Sequence, residues 1–171
     1  SLIAERTKEL SFLGIAGNKI IQAEFLRCIK INYDFNHQNG VHRDTFKIVD
    51  NPVESFEHDG YYAKVVQTFI REDNTLKEIL QNPSLISFPK KVKNQLEFTF
   101  PSTTLFTVEV PLGEILQFFI LYPETDNRTR TFVLCYANWH NPIVKVPGLG
   151  NLIKRSLLES TAKIVEQDSK A

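Results

Sequence analysis

The amino-acid sequence predicts one α+β domain in which a curved antiparallel sheet packs around a long C-terminal helix. Apolar residues are irregularly spaced up to about Phe46, alternate with polar residues from there to Ala137, and recur at helical intervals from Asn151 onward. The chain has 171 residues, 42% of them hydrophobic, which is enough for one core. We therefore predict that residues 1–171 form a single domain.

The N-terminal part of the chain is predicted to be mainly helix and loop. A helix is expected over Lys19–Asn32, because apolar residues recur there at helical intervals. These residues are Ile20, Ile21, Phe25, Cys28 and Ile29. Before Lys19 the apolar residues are too irregularly spaced to predict an element.

The middle of the chain is predicted to form at least six antiparallel strands. Two of them, Val53–Glu57 and Tyr61–Ile70, flank His58-Asp59-Gly60, which has the composition of a hairpin turn. Alternating apolar residues predict the others, with turns at Pro111-Leu112-Gly113 and at Asp126-Asn127. These strands are expected over Leu96–Phe100, Leu105–Val110, Glu114–Tyr122 and Arg130–Ala137.

The segment Arg71–Asn94 is longer than a hairpin connection needs. It contains a short helical pattern at Leu76, Ile79 and Leu80, together with two prolines. Excursions of this kind often form lids over pockets. The segment is therefore expected either to cover a pocket or to cover an edge of the sheet.

The last segment, Asn151–Ala171, predicts a long closing helix that begins with an Asn start signal. One face of this helix is apolar and carries Ile153, Leu157, Ile164 and Val165. Projection at about 100° per residue places Asp168 on this face, and Glu159 and Glu166 on the solvent side. A carboxylate on a buried face is costly unless it is paired or binds a metal. Asp168 is therefore a candidate ligand, the alternative being a residue at a frayed helix end.

Composition excludes several classes of function. Lys and Arg number 20 and Asp and Glu number 20, so the formal net charge is zero, and no basic run is longer than Lys90-Lys91. Binding to the phosphates of nucleic acid or to an anionic membrane needs a concentrated positive charge, so neither partner is expected. The longest apolar stretch, Ile115–Tyr122, is far shorter than the roughly 20 residues of a membrane-spanning helix.

The cysteines indicate the cellular compartment of the protein, and the two ends of the sequence indicate whether it is a fragment. Cys28 and Cys135 are too few for a disulfide framework, and no secretory signal precedes the domain, so we expect a cytoplasmic protein. The sequence begins at Ser1, contains no methionine, and ends at Ala171 within a helical pattern. We therefore expect a fragment of a longer polypeptide.

The most informative motif is Asp34-Phe35-Asn36-His37-Gln38-Asn39-Gly40-Val41-His42. On a helix, residues three apart share a face, so Asp34 is placed to accept a hydrogen bond from one ring nitrogen of His37 and leave the other free for a metal. His42 can face the same ion only if the helix distorts or ends between the two histidines, and Gly40 lies there. The alternative is a polar helix end with solvated histidines.

Two histidines and one carboxylate form the facial triad of mononuclear non-haem iron(II) oxygenases. With this motif, the strands and the final Val165-Glu166-Gln167-Asp168, the sequence resembles the catalytic domain of the Rieske-type aromatic ring-hydroxylating oxygenases, α subunit. The resemblance runs from about Ala23 onward and includes the Pro and Thr-Arg pattern of Pro123–Arg130. It implies a helix-grip fold, the architecture shared with steroid- and lipid-binding proteins.

The same resemblance implies specific roles for residues of the motif. His37, His42 and Asp168 match the iron(II) ligands of the family, and Asp34 matches the aspartate that links the iron site to the Rieske cluster. Neither Cys28 nor Cys135 has a histidine at the spacing that such a cluster needs. A [2Fe-2S] Rieske cluster is therefore expected on a missing domain or on another chain.

The implied function is the hydroxylation or demethylation of a hydrophobic, cyclic substrate by dioxygen. The implied partners are a Rieske domain, a reductase or ferredoxin that supplies electrons, and two further copies of the chain in a homotrimer. Two other functions remain open from the sequence. One is a metal-free helix-grip domain that binds a hydrophobic ligand, and the other is a regulatory or assembly subunit whose site has decayed.

Overall fold

The computed structural model describes residues 2–170, without the side chains of residues 2, 86 and 87. Its helices are α1 (Leu2–Arg6), α2 (Phe25–Tyr33), α3 (His37–Val41), α4 (Arg43–Phe46), α5 (Leu76–Gln81) and α6 (Leu149–Asp168). Its strands are β1 (Ser11–Ile21), β2 (Ile48–Asp50), β3 (Val53–Asp59), β4 (Tyr62–Arg71), β5 (Lys91–Thr99), β6 (Thr103–Val110), β7 (Gly113–Thr125) and β8 (Arg128–Trp139).

The described strands form one antiparallel sheet in the order β1-β8-β7-β6-β5-β4-β2, and β3 also pairs with β4. The strands from β4 to β8 pair with one another in sequence order, as the alternating pattern predicts. The chain then returns through α6, which packs against β1 at the far end of the sheet order. The α+β architecture predicted from the sequence is confirmed.

The core lies between α6 and the inner face of the sheet. The buried residues of α6 are Ile153, Ser156, Leu157, Thr161, Ile164 and Val165. This is the face that helical projection predicts, and Glu159 and Glu166 are exposed on the opposite side. The direction of the helix therefore follows from its apolar face, and it carries Asp168 in its last turn to the end of the sheet where α2 to α4 lie.

The predicted helix over Lys19–Asn32 is wrong in its first half. Lys19, Ile20 and Ile21 belong to β1, and the helix starts only at Phe25. Strand β1 escapes the sequence pattern because irregularities in its pairing with β8, at Phe12/Gly14 and Ala16/Lys19, disturb the period of two. Its buried side chains, Leu13 and Ala16, are consequently three residues apart.

The Arg71–Asn94 excursion consists of α5 and a 3-10 turn at Pro83–Ser87, and it rejoins the sheet at Lys91. The excursion is tied to α6, since the backbone N–H of Ser84 donates to Ser156 Oγ at 3.1 Å and Asn82 Nδ2 donates to Ser160 Oγ at 2.8 Å. Leu85 and Phe88 line an apolar cavity beneath it. The excursion therefore covers a pocket, which was the first of the two predicted roles.

None of the described helices has both the length and the hydropathy needed to cross a bilayer.

Gly17 is the residue that lets α6 lie close against β1. It has φ +60°, and a Cβ atom there would lie 2.5 Å from Val165 Cγ2. We expect Gly17→Ala to lower the free energy of unfolding by about 2–4 kcal/mol, from left-handed strain together with overpacking. Urea unfolding measures this change.

Gly40→Ala is the matched control, because Gly40 lies in α3 and a Cβ there would meet nothing within 4 Å. It should be neutral or stabilising by up to about 1 kcal/mol. Equal stabilities of the two variants would contradict the packing described for α6.

Candidate metal centre

Three side chains from two distant segments of the chain converge at the end of α6. His37, His42 and Asp168 each offer one ligand atom, and these atoms lie within 4.8 Å of one another. The side chains of His37, His42 and Asp168 are 14%, 2% and 19% exposed. The residues singled out by sequence spacing are therefore brought together in a largely buried site.

The backbone break at His42 makes this convergence possible. Helix α3 ends at Val41 and α4 starts at Arg43, with His42 between them at φ −111° and ψ 7°. A straight helix would have turned His42 away from His37. The sequence placed this break near Gly40, but Gly40 lies inside α3, two residues before the break.

His37 is oriented by Asp34, although not through the group that the sequence predicts. His37 Nδ1 donates to the backbone carbonyl of Asp34, whereas the carboxylate of Asp34 accepts from the backbone N–H of Asn36 at 3.0 Å. The expected carboxylate–imidazole bond is therefore replaced by a carbonyl–imidazole bond. Because a carbonyl can only accept, Nδ1 carries the proton and Nε2 keeps a free lone pair.

His42 is oriented by Gln167, which the sequence analysis did not select. His42 Nδ1 donates to Gln167 Oε1 at 2.9 Å, and Gln167 Nε2 donates to Thr45 Oγ1 at 2.8 Å. The only sequence signal for Gln167 is its position next to Asp168. The bond leaves His42 Nε2 as the free nitrogen, so both histidines have the tautomer that suits a metal ligand.

The two free nitrogens face the same oxygen. His42 Nε2 lies 2.8 Å from Asp168 Oδ1, and His37 Nε2 lies 3.7 Å from it. Both atoms are buried, and apart from this contact with each other neither has a hydrogen-bond partner among the described residues. Two ligands of one ion on bonds of about 2.1 Å are about 3.0 Å apart at right angles and about 4.2 Å apart when opposite, so both separations lie within the reach of a single metal ion.

The protonation of His42 depends on its neighbours. Burial lowers the pKa of His42, because it disfavours the imidazolium cation, but the Asp168 carboxylate and Gln167 raise it by more. The net pKa lies above the ordinary value of 6.5. In the metal-free protein a proton on His42 therefore takes the part that a metal cation would take in neutralising Asp168.

Cavities open on both sides of Asp168. An inner cavity has apolar walls and is lined, beside the three ligands, by Phe46, Leu96, Phe106, Phe119 and Ile164, with Gln38, Thr104 and Gln117. A cleft of about 340 Å³ between β1, α2 and the end of α6 reaches Asp168 from outside. Asn32 and Phe119 belong to both. The site is therefore placed between an apolar interior and an open approach.

The other candidate groups lie outside the site. Glu166 points to solvent, where its carboxylate is 3.0 Å from Lys170 Nζ and 3.8 Å from Lys19 Nζ. His58 and His140 are exposed. Cys28 and Cys135 are free and buried.

Comparison with known proteins supports the fold and leaves the activity open. No family model matches the sequence, and no curated protein matches it either. Many solved structures match, and one of them, TTHA0849 from Thermus thermophilus, shares 14% identity at a TM-score of 0.59, over 92% of this chain and 95% of that one.

Two further matches have different activities in their names. Dicamba monooxygenase bound to 3,6-dichlorosalicylic acid has 14% identity and a TM-score of 0.56, over 92% of this chain and 48% of that one. Zhui aromatase/cyclase from Streptomyces sp. R1128 has 11% identity and a TM-score of 0.51, over 94% of this chain and 87% of that one. This chain therefore spans about half the length of the oxygenase. The predicted helix-grip fold is confirmed.

The pairing of His42 with Asp168 predicts a pH-dependent effect in the metal-free protein. Asp168→Asn should bring the pKa of His42 below 6.5, because burial remains while the carboxylate is lost. Since the folded-state pKa is raised, the pair stabilises the fold below the unfolded-state pKa, and this stabilisation is lost as the pH rises through the folded-state pKa.

Ring-proton NMR titration of chelator-treated protein measures the pKa, and urea unfolding at several pH values measures the stability. Glu166→Gln is the control and should leave the pKa of His42 unchanged. An unchanged pKa of His42 in Asp168→Asn would contradict the pairing.

Proposed function

We propose that this chain is the catalytic domain of a mononuclear non-haem iron oxygenase that hydroxylates or demethylates a hydrophobic, cyclic substrate. The observation that carries the proposal is the convergence of His37, His42 and Asp168, in which the buried His42 Nε2 and Asp168 Oδ1 face each other and have no other partner within the described residues. Two imidazoles and one carboxylate on one side of an ion are the ligand set of iron(II) oxygenases. The dicamba monooxygenase match is consistent with this function.

In this proposal the protein holds iron(II) through His37 Nε2, His42 Nε2 and Asp168, and the iron, when bound, supplies the activation of dioxygen. The residues around it fix its ligands: the Asp34 carbonyl and Gln167 hold the two imidazoles by their Nδ1 protons. Phe46, Phe106 and Phe119 line an apolar space beside the ligands, which suits a hydrophobic substrate and excludes bulk water.

Electrons would have to come from another domain or chain. No described histidine lies at Rieske-cluster spacing from the buried thiols of Cys28 and Cys135. Asp34 is exposed, and its backbone contacts His37, so it lies between the metal centre and the surface. We propose that a Rieske [2Fe-2S] domain of a neighbouring copy in a homotrimer docks at Asp34, with a reductase or ferredoxin as donor, in the cytoplasm.

A second candidate is a metal-free helix-grip domain that carries a hydrophobic ligand. It is consistent with the Zhui aromatase/cyclase match, whose name gives no oxygenase activity. The two candidates differ in metal content. Iron near one atom per chain after anaerobic preparation supports the oxygenase, whereas a co-purified apolar molecule without iron supports the carrier.

The first test of the oxygenase is iron binding by ligand variants. His37→Ala, His42→Ala and Asp168→Ala should each weaken iron(II) affinity by about tenfold or more, because each removes one ligand. Gln167→Leu should also weaken it by about tenfold, because His42 loses the acceptor that fixes its tautomer. Anaerobic titration followed by metal analysis measures these affinities.

Glu166→Ala is the matched control, since Glu166 lies two residues from Asp168 but faces Lys19 and Lys170. It should bind iron(II) as the unmodified protein does. Equal iron content in folded Asp168→Ala and Glu166→Ala would remove Asp168 from the ligand set.

The second test concerns electron transfer through Asp34. Asp34→Asn keeps an acceptor oxygen for the Asn36 N–H and keeps the backbone carbonyl that orients His37. We therefore expect iron content and thermal midpoint to change little, while reductase-driven product formation is abolished because the negative charge that would meet the Rieske domain is lost.

This test needs the full-length protein with its electron donor, and product formation is measured beside iron content. Asp44→Asn serves as a surface control, since Asp44 is an exposed carboxylate at the start of α4. Full turnover in Asp34→Asn would remove Asp34 from the path.

A further inference from the structure

A buried arginine lines the apolar cavity beneath the Arg71–Asn94 excursion. Arg71, the last residue of β4, is 5% exposed. The cavity has a volume of about 80 Å³, and its walls are mostly apolar and include Phe46, Phe69, Phe88 and Phe106. A fixed positive charge in such surroundings is costly unless a negative group compensates it.

The described contacts of Arg71 are all with neutral groups. Nε donates to the carbonyl of Phe46 at 2.6 Å, Nη1 to the carbonyl of Phe88 at 3.1 Å, and Nη2 to Asn74 Oδ1 at 3.4 Å. The guanidinium carbon also lies 5.6 Å from the centre of the Phe88 ring. Within the described residues, Arg71 makes no ion pair with a carboxylate.

Glu78 does not fill this role. Its charge acts on Arg71 only at a distance, and its carboxylate is bound by Lys47 Nζ at 3.1 Å and by the backbone N–H of Thr75 at 2.7 Å. Burial lowers the pKa of Arg71, and Glu78 opposes this change only in part. The guanidinium nevertheless stays protonated, because its ordinary pKa is so high.

Two N–H groups of Arg71 are not used by the contacts described above. A guanidinium has five N–H groups, and the contacts above use one on each nitrogen, which leaves a second N–H on Nη1 and on Nη2. A carboxylate can accept from both terminal nitrogens at once, so it is the group that best matches these donors and the uncompensated charge.

This cavity adjoins the metal centre. It shares Phe46, Phe106, Gln117 and Ile164 with the inner cavity that reaches the three ligands. The ring of Phe46 lies edge-on to His42 at 5.7 Å and stacks on Phe69 at 5.7 Å. A ligand held at Arg71 would therefore extend along Phe46 toward His42.

We infer that Arg71 is the anion-binding subsite of this cavity and that the substrate is a small organic acid, with its carboxylate at Arg71 and its apolar ring beside Phe46. The identity of this molecule as a substrate rests on the proposed oxygenase function, whereas its binding does not. The cavity and the inner cavity beside it measure about 80 and 40 Å³. A dry cavity of about 150 Å³ holds one benzene ring, so nothing larger than a single ring is expected, and the excursion must shift slightly to admit it.

Another role for Arg71 is purely structural. Its bonds to the carbonyls of Phe46 and Phe88 join α4 to the excursion. Asn74 makes similar bonds, because its Nδ2 donates to the carbonyl of Leu85 at 3.0 Å and to the carbonyl of Phe88 at 3.2 Å. A structural role predicts no preference between charged and neutral ligands of the same shape. Benzoate and benzamide form such a pair of probes.

The experiment measures the affinities of benzoate and benzamide by calorimetry, on protein treated with a chelator and on iron-loaded protein. The unmodified protein should bind benzoate at least about tenfold more tightly than benzamide, the value expected for a charge-assisted pair of hydrogen bonds. Arg71→Gln should remove this preference, and Arg71→Lys should retain part of it.

Asn74→Ala is the matched control, because it loosens the same loop while the charge of Arg71 remains. It should affect both probes alike and keep the preference for benzoate. If the unmodified protein binds the two probes equally, or binds neither, the inference is wrong, whether or not Arg71→Gln folds. If the protein prefers benzoate but binds no iron, the anion-binding subsite is supported and the proposed oxygenase function is wrong.

Discussion

The approach of Asp168 Oδ1 to His42 Nε2, at 2.8 Å, is the contact on which the arrangement of this protein depends. It joins the last turn of α6 to the segment between α2 and β2. The strands β2 to β8 lie between these two segments in the sequence. The apolar face of α6 fixes the direction of the helix, and Gly17 allows the helix to lie close to β1. On the other side, the break at His42 turns the imidazole toward the carboxylate.

Burial makes this contact costly without a proton or a cation. The side chain of His42 is 2% exposed, and apart from each other neither its Nε2 nor Asp168 Oδ1 has a hydrogen-bond partner in the described part of the chain. Two groups with lone pairs directed at one point repel each other unless a positive species lies between them. Gln167 and the Asp34 carbonyl hold both histidines by Nδ1, so the arrangement keeps this point free.

The sequence predicted the parts of this arrangement that follow from periodicity. The inward face of α6, with Asp168 on it, and the strands from β3 to β8 depend on spacing along one element, whereas the pairing of Asp168 with the two histidines was implied by the resemblance to the Rieske-type oxygenases. Strand β1 was missed because its pairing with β8 is irregular, and Gln167 was missed because its contact with His42 depends on where α4 packs. The sequence also could not predict that Arg71 makes no ion pair with a carboxylate among the described residues, because this depends on which side chains surround it in the fold.

The most direct test of the metal centre is a crystal structure of the protein exposed to iron(II) without oxygen, with anomalous diffraction recorded at the iron edge. The account predicts a single strong anomalous peak about 2.1 Å from His37 Nε2, His42 Nε2 and an oxygen of Asp168, the distance of ordinary metal–imidazole bonds. An ordered site with no peak at these residues, or a peak held by other side chains, would contradict it.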